Sequence, residues 1–127
     1  MTAFTLVSCG DKKTETPDVE SMGQLWVSKA RFAMQKGDWT TARTMIDSLR
    51  TQTPTAFNAR EDGILLLDSI ELLAAKQIVD SLQRNPLLRS TDIFVQDSLS
   101  TELDRAQAKV HFFEKKIAVD QQRKQQH

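Results

Sequence analysis

From Val19 to Ile117 the apolar residues of this chain return at steps of three and four. That period places them on one stripe of an α-helix, so they can leave water only where helices pack together. Val19, Met22, Trp26, Ala30, Ala33 and Met34 make a first stripe, and Ala42, Met45, Ile46 and Leu49 a second. Phe57, Ile64, Leu65, Leu67 and Ile70 make a third. The last differs in kind. Leu99, Leu103, Ala106, Val110, Phe113 and Ile117 alternate steps of four and three, which is a heptad seam, and Phe112 widens it. A seam this regular requires a partner helix along its whole length. With four glycines, three prolines and no tyrosine, composition also favours helix over sheet.

Punctuation residues divide the stripes. Thr16-Pro17 reads as a helix opening, Gly37 as a stop and Asp38 as the cap of the next helix. Thr53-Pro54 closes the second helix and can start the third. Asp68-Ser69-Ile70-Glu71 has capping-box spacing, with Asp68 in place of Ser or Thr, and predicts a break or kink. The absence of Gly or Pro nearby leaves a continuous helix from 54 to 84 open. Asn85-Pro86 ends that segment, 87–91 connect, and a long amphipathic helix follows over about 92–124. From Asp120 to His127 the chain reads as a solvated, fraying end.

An internal repeat organises the middle. Ala42-Arg43-Thr44-Met45-Ile46-Asp47-Ser48-Leu49 aligns with Ala75-Lys76-Gln77-Ile78-Val79-Asp80-Ser81-Leu82, and Pro54 and Pro86 follow at nearly equal distances. Trp26, Ala30, Gly37-Asp38-Trp39, Ala42, Ile46, Leu49 and Pro54 resemble the signature of a tetratricopeptide repeat over about 23–56. Lys29, Ala33 and Ile46 depart from it, and a second unit, about 57–86, keeps only the second-helix half, with Arg60 where the tryptophan would stand. The resemblance implies an all-α fold. Two helical hairpins of tetratricopeptide-like packing would be followed by the long C-terminal helix, in one domain over 17–127.

Cys9 is the only cysteine. Leu6-Val7-Ser8-Cys9 resembles a bacterial lipobox, in which the cysteine carries the lipid, so 1–9 read as a shortened lipoprotein signal. Residues 10–16 lack any large apolar side chain and read as a flexible tether. With the helical body this resembles the small outer-membrane lipoproteins of Gram-negative bacteria. Asp47-Ser48-Leu49, Asp68-Ser69-Ile70, Asp80-Ser81-Leu82 and Asp97-Ser98-Leu99 resemble the extracytoplasmic O-glycosylation signal of the Bacteroidetes group.

Lys plus Arg equals Asp plus Glu, at 17 each, which argues against a nucleic-acid binder. The charges are segregated, however. Residues 61–104 hold nine acids against three bases, and 105–127 hold six bases against two acids. The two regions can attract each other within one molecule or between two. His111 and His127 lack neighbouring ligands at metal spacing, no glycine-rich phosphate loop occurs, and Glu61-Asp62 reads as a solvated face. No metal, cofactor or catalytic residue is therefore expected. The resulting expectation is a lipid-anchored interaction or scaffold module of the bacterial outer membrane, with an envelope protein or peptide as partner. The alternative is a coiled-coil spacer or homodimer built on the C-terminal helix.

Overall fold

A computed structural model describes residues 18–126, which form four α-helices and one short 3-10 turn. Helix α1 spans Val19–Gln35, α2 Trp39–Gln52, α3 Phe57–Gln83 and α4 Ile93–Gln125, with the 3-10 turn at Pro86–Arg89. The fold is all-α, and there is no strand among the described residues.

Short polar side chains start most of these helices. Asp18 accepts from the Ser21 amide at 2.7 Å, and Asp38 accepts from Thr41 at 3.1 Å. Gly37 turns the chain between α1 and α2 at φ 77°, a left-handed conformation that L side chains rarely adopt. Asp92 opens α4 by accepting from the Phe94 amide. Thr16-Pro17 lies outside the described residues, and the cap of α1 is Asp18.

α3 starts differently from the sequence expectation. Its first residue is Phe57, its N-cap position is Ala56, and no side chain of its own caps it. Thr53 turns back instead: its hydroxyl donates to the Leu49 carbonyl at 2.7 Å and closes α2. The free amides of Asn58 and Ala59 donate to the two carboxylate oxygens of Glu20 on α1, each at 3.1 Å. A residue 38 positions away in sequence therefore caps α3, which no local pattern reveals.

The break at Asp68 does not occur, and residues 57–83 form one helix of 27 residues. A side-chain pattern with capping-box spacing cannot end a helix whose next turns are held by neighbours on two sides. Ala59, Leu66 and Ile70 join Val27, Ala30, Ala33, Ala42, Ile46 and Leu49 in the main core, shared with α1 and α2. Asp68, Ala75 and Val79 lie on another side of α3, toward α4. Two apolar registers on one helix blur its single-stripe period, while the break is expected from the capping-box spacing at Asp68 alone.

Glycine allows the helices to approach closely. A Cβ on Gly23 of α1 would lie 2.7 Å from the Cβ atoms of both Ala56 and Ala59, and one on Gly63 of α3 would lie 2.5 Å from Leu49 Cδ2. α3 and α4 form the most extensive helix pair, while α1 and α2 cover α3 from the other side. The last turns of α3 and the first third of α4 extend beyond that cover, and no residue from 76 to 105 is buried. The repeated octapeptide records this difference. Ala42, Ile46 and Leu49 are all buried, whereas of their counterparts only Ala75 is, with Val79 and Leu82 half-exposed.

Candidate functional site

The seam residues Leu99, Leu103, Val110, Phe113 and Ile117 are half-buried and Ala106 is buried. They share one face of α4, and that face lies on α3 of the same chain. Val110 and Val79 line one hollow between the two helices, and Ala106, Ile78 and Leu82 line another. The seam does not end at Ile117. Asp120 stands at the next step of three and is 6% exposed, so the expectation of a solvated end is corrected at this residue, while 121–126 are exposed as expected. Heptad geometry turns position 120 inward whatever residue occupies it.

Opposite Asp120, α3 presents Asp68, which is 2% exposed. Lys116, one turn before Asp120, reaches between them. Its Nζ donates to Asp68 Oδ1 at 2.9 Å and to Asp120 Oδ2 at 2.7 Å. Arg123 lies 3.4 Å from Asp120 Oδ1. Asp68 Oδ2 is buried with no hydrogen-bond partner. Two carboxylates thus share one lysine across the α3–α4 interface, with one oxygen lacking a donor.

This arrangement sets the protonation of the pair. Burial raises the Asp68 carboxyl to about 6, the neighbouring Asp120 adds to the rise, and Lys116 opposes it. Asp120 moves the other way, held below the usual aspartate range first by the Asp68 carboxyl, which donates to it when protonated, and then by Lys116. The two carboxyls therefore hold one proton between them in mildly acidic solution. That proton makes Asp68 a donor and leaves Asp120 as the anion facing Lys116 and Arg123. Hydrogen bonds to both acids raise the Lys116 ammonium, so it stays charged.

Two further ion pairs flank the cluster. Lys124 reaches the Asp62 carboxylate, which also accepts from Gln24 Nε2 of α1 at 2.9 Å. Asp62 is thus part of a link between three helices, not a member of a solvated pair. Burial pushes its carboxyl up, but Lys124 and Gln24 outweigh that and hold it low. Toward the other end Glu71 takes a bidentate contact from Arg43 of α2, at 2.6 and 2.9 Å, with Lys109 of α4 at 3.9 Å. The Arg43 hydrogen bonds hold Glu71 below the usual glutamate range. The segregated charges foreseen from sequence therefore meet within one chain. Asp62, Asp68 and Glu71 on α3 face Lys124, Lys116 and Lys109 on α4, in antiparallel order.

Chemically the cluster can hold and release one proton and can clamp two helices. It opens onto no metal set: among the described residues no three His, Cys, Asp or Glu side chains group to hold an ion. The described part of the chain contains no helix long and apolar enough to cross a membrane. Trp39 donates from Nε1 to Gln77 Oε1 at 2.7 Å, and Trp26 packs against the main core. His111 is exposed beside Glu114. Among the Asp-Ser-Leu/Ile serines, Ser81 and Ser98 are exposed, while Ser69 donates to the Leu65 carbonyl of its own helix. Cys9 lies outside the described residues. Sequence reasoning missed Asp68, Asp120 and Lys116 as a unit. The available signal was the heptad count carried three residues past Ile117, onto an acid. No family model, curated protein or solved structure matches this chain significantly.

Proposed function

We propose that this chain is a lipid-anchored, non-catalytic interaction module of the bacterial outer membrane, held by lipid on Cys9. The observation that carries this reading is the order of parts: Leu6-Val7-Ser8-Cys9, then a short charged stretch, then a helical body that opens at Asp18. The partner on this reading is an envelope protein or peptide. The end of the α3–α4 hairpin supports it, because Ile78, Leu87, Ile93 and Phe94 stand exposed there beyond the cover of α1 and α2. Exposed apolar groups gathered at one end of a small fold mark interaction sites. The test is expression from the native reading frame in a Gram-negative host. The wild-type protein should partition with membranes and carry the added mass of acyl chains, and Cys9→Ala should be soluble and unmodified. Equal partitioning of the two would refute the anchor.

A second reading is a structural spacer or homodimer built on α4. Phe94, Phe112 and Val119 favour it, since they are exposed on the side of α4 away from the seam, which Phe112 therefore does not widen. Sedimentation equilibrium separates the readings. A dimer that Phe112→Gln and Val119→Gln dissociate supports the spacer, and a monomer at all concentrations supports the single-chain module.

A further inference from the structure

Helix α1 has an outer face that nothing in the described structure covers. Met22, Leu25 and Phe32 are 42%, 60% and 60% exposed. Leu25 and Phe32 stand seven residues apart, as do Lys29 and Lys36, so the two pairs run as adjacent rows along the helix. Lys36 lies over the Phe32 ring at 4.3 Å, and Lys29 over Trp26 at 4.6 Å. Neither lysine forms an ion pair with a described carboxylate. Asp18 caps α1 and Glu20 caps α3, while Asp38 at the far end caps α2 and lies close enough to Lys36 to feel its charge. What remains is an apolar row and a cationic row with no acid between them.

The geometry points to this face of α1 as a docking surface for an anionic phospholipid bilayer. Charge complementarity selects that occupant. Leucine, methionine and phenylalanine enter the headgroup boundary while the lysines beside them meet phosphates, the arrangement of a helix lying in an interface. Position reinforces it. Asp18 follows Cys9 by nine residues, and covalent geometry limits that stretch to about 30 Å. The inference shares the anchor of the proposed function, where the short reach keeps α1 at high effective concentration over the bilayer. The fold then lies with α1 against the lipid and the exposed end of the α3–α4 hairpin free for a partner.

The test attaches Cys9 chemically, which separates it from lipidation in the cell. The full chain carrying Trp39→Phe, so that Trp26 is the sole indole, is coupled through Cys9 to a maleimide-headgroup lipid. The vesicles contain brominated phosphatidylcholine with or without phosphatidylglycerol. Trp26, at the edge of the docking face, should be quenched on the phosphatidylglycerol vesicles and much less on neutral ones. Lys29→Glu with Lys36→Glu should lower the docked-to-free ratio by about thirtyfold or more. Leu25→Gln with Phe32→Gln should abolish quenching while far-ultraviolet dichroism stays unchanged, because all four side chains are exposed. Absence of quenching on anionic vesicles overturns the inference. So does quenching that is equal on neutral vesicles or indifferent to the lysine reversals. A negative result here leaves native lipidation standing, and failure of the Cys9→Ala test leaves this face unaffected.

Discussion

Asp68 has a folded-state affinity for protons above that of the unfolded chain, since its carboxyl is raised from 3.8 to about 6. Its contribution to stability is complete below the unfolded value and is lost as pH rises through about 6. That rise corresponds to about 3 kcal/mol at 1.36 kcal/mol per tenfold change in proton affinity. Asp120 runs oppositely: its depressed carboxyl stabilises the fold above the unfolded value, and that is lost in strong acid. Stability should therefore be highest near pH 4, fall as pH rises to about 6 and level off by pH 7, as read by urea denaturation at each pH. Asp68→Asn keeps an acceptor for Lys116 and supplies a donor for Asp120. It should raise stability at pH 8 by about 1–2 kcal/mol and flatten the slope between pH 4 and 6. Lys116→Met should cost about 3 kcal/mol at pH 8 and less at pH 5, where the shared proton relieves the repulsion. An unchanged pH slope in Asp68→Asn would assign the titration to another group. The residues of this cluster were legible only as a heptad position and an apparent capping box. Their meeting depends on a contact between positions 48 apart.

Elements were read well where one face is buried and poorly where two are. α2 and α4 have single stripes, and the spacing places their cores close to where the structure has them; in α1 it finds Ala30 and Ala33 but misses Gly23 and Val27, while Met22 is exposed on the outer face. α3 is covered on two sides, so its apolar residues do not describe one stripe. Its main core positions also include Ala59 and Gly63, too small to signal burial by hydropathy. Small residues matter because the helices touch there. Gly23→Ala should destabilise the fold by about 1–3 kcal/mol, since the added methyl meets two Cβ atoms that cannot swing aside. Gly63→Ala should cost less, because it meets the end of a leucine side chain and gains helix propensity. Glu20→Ala should cost about 1–2 kcal/mol by leaving two amides of α3 uncapped, measurable by thermal unfolding. Replacing Glu20 without loss of stability would show that water caps α3 equally well.

At the scale of the whole molecule, α3 is the shared wall between two packed layers, and only one half of it is covered on both. Hydrogen exchange should follow that division. Amides of α3 from Ala59 to Ala74 and of α4 from Ala106 to Asp120 should be the most protected, and those of 76–105 should exchange earlier, because none of the latter is buried. Uniform protection along α4 would mean that the exposed end is covered in solution, as a dimer would cover it. The amino-acid sequence by itself determined that the chain is helical, where three of its helices lie, and that its acids and bases fall in separate segments. Those properties follow from local period, capping and composition. Only the tertiary structure decided that α3 is unbroken, that Glu20 caps it from another helix, and that Asp120 closes on Asp68 through Lys116. Each of these depends on which surfaces meet across tens of residues, and a one-dimensional pattern carries no record of a neighbour that far along the chain.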